Sequence, residues 1–328
     1  NLQELGPACY DCHLPDPMTV TTKKAHLENA LAMIDKTEPS RQELRTLACA
    51  QCHVTYSVPR DENMKTAGDV VLPWKNATWG DISIEGIIAD LLSDPSRLEW
   101  TQKATGFKMP FIRHPEFEVF SRGSVHFNAG VACADCHMPF TRSGGYKISD
   151  HNVTSPLKAD LRACLQCHTQ SKEWLTDRIF HTQDRTASLV LRAGYNTATC
   201  ARLFQAIHTA QEDGATVDSA IYNQAKDFYM QAFLRLVFVN AENSTGFHNP
   251  AEAGRILGDA IAFSGKSEAL LRQLLADAGM NPQMEVALDL GETLNNRGQA
   301  GLDFRPEQEF KDPFGVQEQL LSEKAKGL

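Results

Sequence analysis

No stretch of this chain reaches the ~18 consecutive apolar residues that a membrane-spanning helix needs. The longest candidate, Phe233 to Val239, is interrupted by Arg235. Basic residues are also in deficit: 32 Lys and Arg against 41 Asp and Glu leave a formal net charge of −9. That balance argues against nucleic acid as a partner, because phosphate binding draws on a basic surface. Cysteine outside one repeated pattern is nearly absent. Only Cys200 stands apart, in an apolar helical setting that reads as a small buried hydrophobe, so no disulfide framework is expected. No signal peptide is visible, and an opening at Asn1 reads as a processed or truncated start.

What is present is a five-residue signature, Cys-x-x-Cys-His, repeated four times: Cys9, Cys12 and His13; Cys49, Cys52 and His53; Cys133, Cys136 and His137; Cys164, Cys167 and His168. With 9 Cys and 11 His in 328 residues, chance yields even one such motif only about 0.01 times per chain, and the pattern is the attachment site of c-type haem. The two thiols add to the porphyrin vinyl groups, and the adjacent histidine faces the iron as proximal ligand. Zinc ribbons and thioredoxin-like pairs also use Cys-x-x-Cys but leave the next position free. Here histidine follows every pair. Covalent haem insertion needs free thiols outside the cytosol, which makes a periplasmic location the expectation.

The fold class expected is mostly α, a multihaem cytochrome c with haems packed among short helices and loops, followed by long C-terminal helices. The length allows two domains, but haems are large apolar objects that can stand in for a conventional core. The weak strand signal favours one haem-packed unit. Residues 1–170 form a haem-binding region, 171–280 a long-helix region and 281–328 an irregular C-terminal wrap rich in Pro, Gly and Asn. Within the first, apolar spacing predicts a helix over Thr22–Ile34, and Pro59–Pro110 reads as an irregular excursion holding one helix near Ile84–Leu92. Within the second, helical periodicity runs from Trp174 to Ile207 and from Ile221 to Leu236. Asn249-Pro250-Ala251-Glu252 has the residues of a helix start, and Ser267–Ala278 is a further amphipathic series ended by Gly279.

Seven histidines lie outside the motifs, and they form the pool of second axial ligands for bis-histidine haem. His126, His151 and His248 are the favoured candidates: the first two are close in sequence to attachment sites, and His248 precedes a rigid helix start. His26, His181 and His208 fall in helical patterns typical of satisfied surface histidines. His114 completes the set.

The segments Cys49-Ala-Gln-Cys-His53-Val-Thr-Tyr56, His114-Pro-Glu, Cys133-Ala-Asp-Cys-His-Met-Pro, Asp150-His151 and Gly246-Phe-His248-Asn-Pro, in this order, resemble cytochrome c nitrite reductase, the ammonia-forming pentahaem enzymes. The resemblance implies a helical periplasmic homodimer joined through its long C-terminal helices. It implies reduction of nitrite to ammonium with six electrons, drawn from a membrane-anchored or soluble multihaem cytochrome. It also implies His151 as distal ligand to the haem on Cys9/Cys12, His126 to that on Cys164/Cys167, and His248 to that on Cys133/Cys136. Tyr56 and His114 match the family's active-site tyrosine and histidine, a hydrogen-bonding and proton-donating pair suited to a proton-consuming reduction.

Two departures qualify the likeness. The family's catalytic haem sits on a fifth motif ending in lysine, preceded by an arginine, and neither occurs here; nor does the upstream histidine that would be distal to the haem on Cys49/Cys52. Residues 1–328 are therefore expected to be the C-terminal two-thirds of a longer enzyme, with four haems here and a fifth on the preceding segment. Family members with an active-site calcium place lysine, glutamine and glutamate where this chain has Phe111, Arg113 and Thr55. Loss of those oxygen ligands implies that calcium is absent, with Arg113 supplying positive charge beside Tyr56 and His114 or else contacting a haem propionate. The competing reading is a tetrahaem electron-transfer cytochrome without its own substrate site, since every motif ends in histidine.

Overall fold

The computed structural model describes residues 7–16, 18–281, 286 and 288; the expected 281–328 wrap lies almost wholly outside them. Ten α-helices are present among the described residues: α1 (Cys9–Cys12), α2 (Ala25–Met33), α3 (Arg41–Ala50), α4 (Ile84–Leu92), α5 (Glu116–Ser121), α6 (Val125–Asn128), α7 (Cys133–His137), α8 (Lys172–Glu212), α9 (Ser219–Asn240) and α10 (Pro250–Asp277). Strands among the described residues are limited to two antiparallel pairs, β1 (Trp100–Thr101) with β2 (Lys108–Met109) and β3 (Phe140–Ser143) with β4 (Tyr146–Ser149). The fold is thus mostly α. No helix among the described residues is long and apolar enough to cross a membrane.

The chain divides into two compact units instead of one. The first comprises residues up to Glu99, Pro110–His181 and Ala241–Glu252; the second comprises Trp100–Met109, Thr182–Asn240 and the described residues from Ala253 on. The second unit has enough side-chain bulk for a core without any prosthetic group. Phe107, Phe204, Ile207, Tyr229, Leu271 and Leu274 are buried together there, with Cys200 among them as a small apolar filler. Each such large apolar side chain contributes about 1.5–3 kcal/mol on full burial.

Local chemistry explains where helices begin. Ser40 Oγ accepts the Glu43 N–H at 3.3 Å while Glu43 Oε2 accepts the Ser40 N–H at 2.7 Å, a reciprocal capping box that starts α3. Asn249 Oδ1 accepts the Glu252 N–H at 3.2 Å and caps α10, as the Asn-Pro spacing predicts. The Glu252 carboxylate pairs with Arg122 Nε at 3.3 Å. From there α10 continues unbroken to Asp277, so the Ser267–Ala278 series is its second half and not a separate helix. No proline interrupts it, and a Cβ added at Gly254, Gly258 or Gly265 would meet nothing within 4 Å. Gly279, at φ +77°, ends it in the left-handed conformation that glycine adopts without strain.

Candidate functional site

All four Cys-x-x-Cys-His segments fold as single helical turns. In three of them the histidine N–H returns to the first cysteine carbonyl, at 2.9 Å for His13, 2.9 Å for His53 and 2.8 Å for His168, and the fourth is α7 itself. Positions i, i+3 and i+4 share one face of a helical turn. Both thiols and the imidazole therefore project to the same side, the arrangement covalent haem needs.

Each motif histidine faces a second histidine. Ring centroids are 6.1 Å apart for His13 and His151, 6.3 Å for His168 and His126, and 6.1 Å for His137 and His248. His53 and His114 stand 5.9 Å apart, nearly perpendicular. Two imidazoles on one metal, with bonds of ~2.0–2.1 Å and roughly 1 Å more from nitrogen to ring centre, have centroids about 6 Å apart. The donor sets fit haem iron. In three of these histidines Nδ1 is hydrogen-bonded to a backbone carbonyl, which leaves Nε2 for a metal: His13 Nδ1 lies 2.9 Å from Met18 O, His137 Nδ1 3.0 Å from Thr154 O and His151 Nδ1 2.9 Å from Ser149 O. By contrast, His26 commits Nε2 to Gln51 O and His208 commits Nε2 to the Tyr222 hydroxyl, and His181 is exposed on α8.

Successive attachment sites lie within electrostatic reach of one another. The proximity of the Cys49 and Cys133 thiols lowers the first and raises the second. Burial raises Cys12, with Cys49 adding to it, and pushes Cys136 up to about 12, with Cys164 and Cys167 adding to it. Residues inside the motifs fix this order. Gln51 Nε2 donates to Asp11 O at 3.0 Å. Asp135 accepts from Arg45 at 2.5 Å and Gln42 at 2.6 Å, both on α3, and Cys133 N–H donates to Thr46 Oγ1 at 3.3 Å.

Around His53 the chain is stitched to the segment from Phe111 to Glu118. Phe117 N–H donates to His53 O at 3.1 Å, Thr55 Oγ1 donates to Arg113 O at 3.0 Å and Thr55 N–H donates to Glu118 Oε1 at 2.9 Å. Arg113 Nη1 donates to Tyr56 O at 3.1 Å, and its guanidinium stacks 4.9 Å above the Tyr56 ring and 4.2 Å above Phe111. The structure thus gathers Tyr56, Arg113 and His114 at one place, beside His53. Arg113 is not an unpaired cation, however. Its two terminal nitrogens make a fork on Glu99, at 2.8 and 2.7 Å, and the Glu99 side chain is 2% exposed. Glu99 offsets the positive charge that Arg113 brings beside Tyr56 and His114, and Arg113 acts as a clamp on Tyr56.

Three further acids, Glu116, Glu118 and Glu242, shape the site. Glu116 reaches both histidines, with Oε2 3.4 Å from His53 Nδ1 and Oε1 3.9 Å from His114 Nδ1; these three side chains bring ligand atoms within 4.8 Å of one another. Their contact raises His53 above its ordinary value, whereas burial of Glu116 is outweighed by His53 and leaves that carboxyl lowered. Glu118 also accepts from Trp74 Nε1 at 3.0 Å, and complete burial pushes it up to about 8. Burial raises Glu242, but His248 at 2.6 Å and Ser244 more than compensate and hold it low. Sequence reading missed Glu99 and Glu242, because neither lies in a motif. His114-Pro-Glu did place Glu116 beside a candidate residue. His114 itself sits at φ +40°, a left-handed conformation that is rare before proline and strained for a residue with a side chain.

Comparison with known proteins identifies the family. A family model described as cytochrome c552 matches residues 4–326. A cytochrome c-552 of Aliarcobacter butzleri is 33% identical over 284 residues, 83% of this chain and 54% of the relative. The cytochrome c nitrite reductase subunit NrfA of Nitratidesulfovibrio vulgaris is 33% identical over 281 residues, 79% of this chain and 51% of that protein. Among solved structures, the cytochrome c nitrite reductase catalytic subunit NrfA from Desulfovibrio desulfuricans, described for its two calcium sites, superimposes with a TM-score of 0.72 at 32% identity, over 83% of this chain and 59% of that one. The chain spans a little over half the length of these relatives. With four haem-attachment turns, opposed histidines and a match along nearly its whole length, this chain belongs to the cytochrome c552 family, whose prosthetic group is haem c.

Proposed function

We propose that this chain is the part of a periplasmic, ammonia-forming nitrite reductase that carries four relay haems and one wall of the substrate pocket. The observation that carries the reading is the gathering of Tyr56, Arg113 and His114 beside one haem-attachment turn, while the other three motif histidines each face a histidine of their own. On this reading His151, His126 and His248 are the distal ligands of the haems on Cys9/Cys12, Cys164/Cys167 and Cys133/Cys136. When bound, the haem irons would pass on, one electron at a time, the six electrons that nitrite reduction to ammonium requires from the donor. The catalytic haem, a fifth one on a lysine-ended motif, belongs to sequence outside these 328 residues.

The residues present have separate tasks. His114 is the proton donor to the developing nitrogen species, with the Glu116 carboxylate 3.9 Å from its Nδ1. Tyr56 offers a phenol to the same species, oriented by the Arg113 clamp. Arg113, bonded to the Tyr56 carbonyl and to Glu99, holds this corner in place of a calcium ion. The long helices α8, α9 and α10 make the homodimer contact, and a multihaem cytochrome, membrane-anchored or soluble, delivers electrons. The test is a reduced-viologen assay on the complete natural gene product: nitrite-dependent oxidation with ammonium as product is expected, reduced at least about 100-fold in Tyr56→Phe or His114→Gln, as for loss of a general acid.

One observation favours a second reading. His114 stands 5.9 Å from His53, as near as the ligand pairs are to each other, so His114 could instead complete a fourth bis-histidine haem in an electron-transfer cytochrome. Low-spin spectra for every iron, with no nitrite-dependent oxidation, would select that reading.

A further inference from the structure

Histidines that bind haem through Nε2 differ in what holds Nδ1, and this chain uses two kinds of holder. His13, His137 and His151 rest on neutral backbone carbonyls of Met18, Thr154 and Ser149. His248 lies against a carboxylate instead: Nδ1 is 2.6 Å from Glu242 Oε1, an ion-pair contact outside hydrogen-bond alignment, and the Glu242 side chain is 1% exposed. His53 shares the feature more loosely, 3.4 Å from Glu116.

The loop from Glu242 to His248 is built around that carboxylate. Ser244 N–H donates to Oε1 at 2.9 Å, and Ser244 Oγ and Gly246 N–H donate to Oε2 at 2.8 and 3.0 Å. The Ser244 hydroxyl in turn accepts the His248 N–H at 2.8 Å. Three donors converging on one acid hold an acceptor-only, ionised group. A buried acid would not be assembled this way merely to fill space, since burying a charge is costly unless it is paired.

We propose that Glu242 is a positioning and tuning residue for the haem on Cys133/Cys136. It fixes the His248 ring so that Nε2 is presented opposite His137, and as a buried anion it lowers that haem's reduction potential below the value a neutral partner would give. Uptake of one electron removes a positive charge from the iron, so a nearby anion stabilises the ferric form. The inference rests on His248 being the distal ligand.

The test is potentiometric titration of the holo-protein, full chain, followed by electron paramagnetic resonance and near-infrared magnetic circular dichroism. In Glu242→Gln, one couple alone moves upward. At a fixed potential its ferrous-to-ferric ratio rises about tenfold, which is 59 mV for a one-electron couple, while the bis-histidine band persists. A rise below about threefold in every couple overturns the tuning role. Ser244→Ala gives an independent sign: removing a donor makes the carboxylate more basic, and the same couple moves downward, whereas no movement or an upward one counts against the proposal. His248→Met separates the two layers. A histidine–methionine band on one haem supports the ligand assignment, and an unchanged all-bis-histidine spectrum refutes it whatever Glu242 does.

Discussion

Arg113 and Glu99 decide what the candidate pocket can be at the scale of single residues. The guanidinium donates to Glu99 at 2.8 and 2.7 Å and to the Tyr56 carbonyl, and removing one partner of a buried pair leaves the other uncompensated. Glu99→Gln is therefore expected to cost about 3 kcal/mol, the low end for breaking such a pair, seen as a lowered melting temperature of the holo-protein. Arg113→Lys keeps the charge but loses the planar fork; about tenfold lower nitrite turnover at unchanged haem content is expected in the complete enzyme, and unaltered turnover would count against the clamp. Glu118 makes a second residue-scale prediction. Burial raises its carboxyl to about 8 in the folded chain, above the ~4.3 of an exposed glutamate. Between those values the folded state keeps a proton that the unfolded chain has released, so stability is full below about pH 4 and falls as pH rises, by up to about 1.4 kcal/mol per unit, levelling off above 8. Glu118→Gln keeps the acceptor for Thr55 and Trp74 without ionising. Its melting temperature is expected to vary less between pH 5 and 8 than that of the parent, and parallel curves would contradict the shift.

At the scale of elements, the attachment turns were legible because Cys-x-x-Cys-His is local: a single helical turn places all three side chains on one face wherever it occurs. α4 was legible too, since Ile84–Leu92 combines apolar spacing with Ser83 as cap, its Oγ accepting the Gly86 N–H at 3.1 Å. The unbroken α10 was not, because a periodic pattern with glycines looks like two segments until packing shows that nothing crowds those glycines. Contacts distant in sequence were equally hidden. Arg113 finds Glu99 14 residues upstream across an irregular excursion, and Asp135 inside the third motif finds Arg45 90 residues away on α3. No periodicity encodes such pairings. The Ser40 cap is predicted to matter because α3 leads straight into Cys49: Ser40→Ala is expected to cost about 1 kcal/mol, read as a lower denaturant midpoint with unchanged slope, and an unaltered midpoint would show that the helix start is held otherwise.

For the whole molecule, the four attachment turns and their opposed histidines make sense only as a series. The thiols of the first motif feel those of the second, those of the second feel the third, and those of the third feel the fourth, so sequence order is also the order of neighbours. That continuity is what electron relay demands, and family membership supplies the prosthetic group. The long helices are a separate matter: their core closes on its own aromatic and aliphatic side chains, and a second copy of the chain is the partner proposed for them. The most direct measurement is the iron and covalent haem content of the purified chain matured where c-type haem is attached, by intact mass and metal analysis together. Four covalently bound haems and four irons per chain are the expected result; a chain of apoprotein mass that carries no iron, although it folds, would contradict it.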